Sequence, residues 1–127
     1  MESAKETPRS MRESDILREC CQYLQNRGFF FWRINNIPVH GRTRSKFQPL
    51  GLPDIMMLKN GFFFAIEVKR PKGNETEREP NGRMIRERKL SPSQSEWATR
   101  CVFEDGNFAV VHSVQELIHY FRVEWKL

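Results

Sequence analysis

The chain has 127 residues, enough for one domain with a modest core and too few for two independent cores. Lysine and arginine outnumber aspartate and glutamate by 21 to 16, a net charge of +5 that points to an anionic partner, nucleic acid ahead of a membrane surface. No stretch approaches the roughly 20 apolar residues of a membrane span, and the opening "MESAKETPRS" lacks the apolar run of a signal peptide, so the sequence predicts a soluble intracellular protein.

In chain order, residues 1–10 are polar without a hydrophobic period and read as a disordered tail, leaving 11–127 as the domain. From about Arg12 to Arg27, the residues Ile16, Leu17, Cys20, Cys21 and Leu24 recur at helical spacing, and Gly28 stands where a helix stops. Cys20, Cys21 and Cys101 form no CxxC pair and read as reduced, mostly buried thiols. "FFFWRI" (29–34) has strand composition, and "NNIPVHGRTRSKFQPLG" (35–51) is an aperiodic basic loop. Strands at 54–59 and 62–69 flank Asn60-Gly61, the strongest short hairpin signal because both residues tolerate positive φ. "PKGNETEREPNGRMIRERK" (71–89) has no core-facing period and reads as a mobile excursion. "SPSQ" (91–94) is a capping box that opens a helix ending before Gly106, "NFAVVH" (107–112) is a strand, and "SVQE" (113–116) is a second capping box. The helix it opens carries Val114, Leu117, Ile118 and Phe121 on one face, which makes the order α-β-β-β-α-β-α.

The hairpin poses a chemical question. With Asn60 and Gly61 as the two central turn residues, Lys59 faces Phe62, Leu58 faces Phe63, Ile55 faces Ile66, and Asp54 faces Glu67. Opposed side chains have Cβ atoms about 4.5–5.5 Å apart, where two carboxylates repel unless something positive joins them. A divalent metal is the obvious joiner. Lys69, two residues beyond Glu67, projects from the same face. The inference depends on the turn, because a one-residue offset would send the two acids to opposite faces. The bland alternative is that Asp54 is a turn residue and that Glu67 and Lys69 are the polar half of a half-solvated strand.

A third acid comes from the first helix. At ~100° per residue Glu13 falls within the stripe of Ile16, Cys20 and Leu24, whereas Asp15 and Glu19 fall outside it, so Glu13 points at the sheet. It is equally explained as a first-turn acid favoured by the helix dipole. Gln94 has a complete role as a cap and can also hold a water or phosphate oxygen. Arg33, Arg42, Arg44, Lys46, Lys72, Arg83, Arg86, Arg88 and Lys89 are candidate phosphate contacts, with His40 and Phe47 as stacking groups.

Glu13, Pro53-Asp54, Glu67-Val68-Lys69 and Gln94, in this order, resemble a VRR-NUC domain of the PD-(D/E)XK nuclease superfamily from about Met11 to Phe121. The resemblance implies an α/β, restriction-endonuclease-like αβββαβ core with a central mixed sheet flanked by helices. It also implies Mg²⁺ or Mn²⁺ held by Asp54, Glu67 and the Val68 carbonyl, with Glu13 acting directly or through water. Lys69 would orient the attacking water or stabilise developing charge, and Gln94 would support that arrangement. By the same resemblance the chain would be a homodimeric endonuclease acting on structured DNA, a Holliday junction or another branched form, in replication, recombination or repair. It would work in the cytoplasm of a bacterial or phage-infected cell. Two alternatives remain: a non-catalytic nucleic-acid-binding module with a structural acidic cluster, and a protein-interaction domain whose 71–89 segment folds on its partner.

Overall fold

A computed structural model describes residues 11–34, 47–70 and 89–127. The first ten residues, the excursion at 71–88 and the loop at 35–46, with Arg42, Arg44, Lys46, Lys72, Arg83, Arg86, Arg88 and His40, lie outside the described residues. The element order is α1 (Glu13–Asn26), β1 (Phe30–Arg33), β2 (Ile55–Lys59), β3 (Phe62–Val68), α2 (Pro92–Phe103), β4 (Asn107–Val111) and α3 (Val114–His119). This is the expected α-β-β-β-α-β-α succession.

The four strands form one mixed sheet in the order β1-β2-β3-β4, antiparallel across the first three and parallel between β3 and β4. Helix α2 makes the crossover that a parallel pair requires. At the hairpin, Asn60 and Gly61 have φ of +53° and +84°, the paired positive values of a tight two-residue turn. That turn sets Ile55 opposite Ile66, Leu58 opposite Phe63 and Lys59 opposite Phe62. The expected register therefore holds.

Strand alternation divides the sheet into two faces. Ile55 and Met57 of β2, Phe64, Ile66 and Val68 of β3, and Ala109 and Val111 of β4 pack with Ile16, Cys20 and Leu24 of α1 and Leu117 of α3 into one buried cluster. Phe121 closes it, edge-on to Phe29 at 5.0 Å between ring centroids. The last helix departs from a simple amphipathic one. After His119 the chain widens into a π-helical turn, Tyr120–Glu124, in which the Trp125 N–H donates to the Tyr120 carbonyl at 2.8 Å. The wider turn brings both Phe121 and Trp125 onto the core, with Trp125 4.8 Å from the Phe64 ring. The opposite face receives α2, where Trp97 meets Phe63 and Phe108.

Both capping signals work, in different ways. Ser91 and Gln94 form the reciprocal box at the start of α2. At α3, Ser113 Oγ accepts from the Glu116 N–H, but the Glu116 carboxylate accepts from the N–H of His112, one residue earlier than a box requires. Cys20, Cys21 and Cys101 are free, and burial pushes the Cys20 thiol up to about 12, which makes it inert at neutral pH. Among the described residues no helix is long and apolar enough to cross a membrane.

Candidate active site

The site lies where the β2–β3 ladder ends. Asp54 stands one residue before β2, Glu67 is inside β3, and Lys69 is one residue past it, still joined to β4 through its N–H on the Val111 carbonyl at 3.0 Å. In the extended register Val68 would oppose Pro53, which lacks the N–H that a reciprocal ladder pair needs, and β2 begins only at Ile55. The Val68 N–H donates instead to Asp54 Oδ2 at 2.8 Å, so a carboxylate takes the place of a ladder carbonyl and is fixed in orientation. Ladder geometry continues on the other side as well, with the Ile34 N–H on the Asp54 carbonyl at 2.9 Å.

Glu67 is 3% exposed and Lys69 7%, and they are the buried charged residues of the described chain. Lys69 Nζ lies 3.6 Å from Glu67 Oε2, and Gln94 Nε2 donates to the same oxygen at 2.9 Å. Gln94 Oε1 meanwhile accepts from the Ser91 N–H at 2.8 Å. One amide thus caps α2 with its oxygen, as expected, and holds Glu67 with its nitrogen, a contact that the sequence did not reveal.

The electrostatics follow from burial. Desolvation and then the Asp54 charge push the Glu67 carboxyl up to about 8, against the pull of Lys69, with Glu13 adding to the rise. Asp54 is also raised, first by desolvation, while its bond from Val68 and the nearby Lys69, Glu67 and Arg33 work the other way. The Asp54 and Glu67 side chains are close enough for each to shift the other, so the adjacency that the hairpin register predicts is present.

Glu13 comes from the first turn of α1, on the stripe of Ile16, Cys20 and Leu24, and its Oε2 is shut off from solvent. Its charge reaches Glu67. Among the described residues, however, no three His, Cys, Asp or Glu side chains stand close enough together to form a ready-made metal cage. The donor set that does meet is two carboxylates, with the Val68 peptide between them. Asp54 Oδ2 and Glu67 Oε2 each accept from an N–H group, and each carboxylate keeps further lone pairs that can meet a cation. Hard oxygen donors of this kind suit Mg²⁺ or Mn²⁺, which keep several waters and need few protein ligands.

Of the candidate phosphate contacts, Arg33 and Lys89 fall among the described residues and are exposed, and Arg33 is close enough to Asp54 and Cys21 to lower both. Phe47 is 84% exposed. One contributor is absent from the sequence reading. Gly51, at φ +77°, lies against the start of α2 so closely that a Cβ there would stand 2.3 Å from the Ser93 carbonyl oxygen and 2.7 Å from the Gln94 nitrogen. This contact sets the segment entering Asp54 against the helix end that carries Gln94. Its signal, a glycine three residues before the aspartate, is legible only once the partner surface is known.

No protein-family model, curated protein or solved structure matches the chain.

Proposed function

We propose that the chain is a metal-dependent endonuclease that hydrolyses phosphodiester bonds in DNA, acting as a homodimer on branched or otherwise structured forms. The observation that carries this reading is the pair of opposed carboxylates, half-buried Asp54 and buried Glu67, with an ammonium and an amide on the same Glu67 oxygen. The resemblance to VRR-NUC domains rests on the same residues, and the net charge of +5 suits a polyanionic substrate.

A divalent ion held by Asp54, Glu67 and the Val68 carbonyl would supply Lewis-acid charge at the scissile phosphate. The protein's own groups do the rest. Glu67 must lose its proton to take part, so cation binding and proton release are coupled. Gln94 keeps Glu67 from turning away as that proton leaves. Lys69, buried and fixed beside Glu67, presents positive charge where negative charge develops, a contribution worth about 3–4 kcal/mol for one well-placed donor.

A second reading, a non-catalytic nucleic-acid-binding module, draws on the Lys69 and Gln94 contacts, which can hold Glu67 as part of a structural cluster. Incubating purified protein with branched and linear DNAs in Mn²⁺ or Mg²⁺ separates the two. Nicking that stops with chelator is expected, lost in Asp54→Asn and Glu67→Gln and reduced by about 10²–10³ in Lys69→Ala. Salt-sensitive binding with no product, or cleavage that survives all three substitutions, would defeat the nuclease reading.

A further inference from the structure

Among the described residues, the face of the sheet that carries Glu67 and Lys69 is covered over one half only. Helix α2 lies over Phe63 of β3 and Phe108 of β4. The β1–β2 half of the same face carries Phe30, Trp32 and Leu58, which are 66%, 37% and 39% exposed, with half-buried Met56 between them. Strand pairing puts Trp32, Met56, Ala65 and Phe108 in one cross-sheet row. The next row on this face runs through Asp54 and Glu67. From Trp32 to Glu67 is therefore two strand spacings and two residues along the strand, about 12 Å between Cα atoms.

Three features decide what this surface takes. Its exposed side chains on β1 are aromatic: the Phe30 and Trp32 rings lie 5.6 Å apart and are tilted by 50°, an angled pair that offers ring faces to a planar ligand. They sit on an edge strand, where exposed large apolar side chains invite aggregation and are rarely left without a use. The charged group on this same face is Lys69, beyond Glu67, since Arg33 follows Trp32 in sequence but projects from the other face with Ile55, and the whole chain is net +5. Exposed aromatic faces leading to a cation are a recurring platform for unpaired bases, which stack on them irrespective of sequence. Paired bases in a duplex keep their faces covered and gain nothing from such rings.

We propose that Trp32 and Phe30 stack unpaired bases of single-stranded DNA and deliver that strand to the Asp54–Glu67 site. The inference rests on the nuclease reading and names its substrate: the strand cut is unpaired, running from the aromatic pair toward the carboxylates. Roughly three to four stacked nucleotides at ~3.4 Å each span the ~12 Å between them.

The test measures binding of the full chain to a short fluorescein-labelled oligothymidylate, and to the blunt duplex it forms with oligodeoxyadenylate, by anisotropy in chelator. Leaving metal out makes the outcome independent of cleavage. The expected result is preference for the single strand, weakened about tenfold by Trp32→Leu and by Phe30→Ala, with duplex affinity unchanged and Trp32→Phe close to the parent. Melting curves of each variant show that it is folded. Single-strand affinity that is the same in both variants, or that falls equally for duplex, would overturn the proposal. So would a dimer that falls apart on Trp32→Leu with single-strand binding intact, since the patch would then be a contact between copies. Trp32-dependent binding by a protein that never cuts would defeat the nuclease reading alone; cutting without Trp32 dependence would defeat the stacking proposal alone.

Discussion

Along β3, Phe64, Ile66 and Val68 point into the apolar core at 4%, 0% and 1% exposure, while Glu67 and Lys69, pointing the other way, are nearly as dry at 3% and 7%. The degree of burial is the same and its physical basis is opposite. On the core side, non-directional packing with α1 and α3 drives water out, and every group there gains by being buried. On the α2 side two ionisable groups are desolvated at a cost, offset by bonds that each demand a partner: Val68 to Asp54, Gln94 to Glu67, Lys69 to Glu67. A surface that only needed to be closed would use the first chemistry twice. The second retains a carboxyl at about 8 beside a raised aspartate, a pair that gains from an added cation.

The sharpest way to break the comparison is to remove one member from each side. Phe121→Ala empties the centre of the core cluster and should cost about 3–5 kcal/mol, a large share of what a domain of this size has. Glu67→Gln, equally buried, should leave the melting temperature near or above that of the parent at pH 8, because it removes a titrating group whose neutral form the site already prefers. Denaturant titration of both variants checks the pair; a comparable loss in Glu67→Gln would mean that the polar cluster is structural.

A smaller effect is expected from Gly51→Ala. The new methyl would meet the Ser93 carbonyl at a positive φ, so either the loop or the first turn of α2 must shift, at about 1–3 kcal/mol. If α2 shifts, Gln94 moves off Glu67, and the proposed nuclease activity should fall by more than the stability loss explains. Activity and melting temperature measured together distinguish the two responses.

The parts of the site that could be read from sequence are those set by local rules. Asn60-Gly61 dictates a two-residue turn, the turn dictates the register, and the register places Asp54 beside Glu67. Helical period alone put Glu13 on the inward stripe, and the capping box located Gln94. What could not be read depends on contacts between segments far apart in the chain. The Gln94 bond to Glu67 spans 27 positions, and Gly51 matters because of Ser93 and Gln94, which only the fold brings to it. Strand composition marked "FFFWRI" as β1, but the two faces of an edge strand become inequivalent only when it is known that α2 stops short of Phe30 and Trp32. The π-helical turn is a similar case, since its widening serves Trp125 against Phe64.

The central claim is that Asp54 and Glu67 face each other as a cation site, and melting curves from pH 5 to pH 8, with chelator and with Mn²⁺, test it most directly. The Glu67 carboxyl is held near 8 in the fold against an ordinary value near 4.5, so the stability its neutral form contributes is complete below about pH 4.5 and is lost as pH climbs through about 8. In chelator the melting temperature should therefore decline across that range. Mn²⁺, which binds the ionised pair, should offset the decline increasingly toward pH 8, and both effects should vanish in Glu67→Gln. A melting temperature indifferent to Mn²⁺ at pH 8, or raised by it equally in Glu67→Gln, would contradict the account.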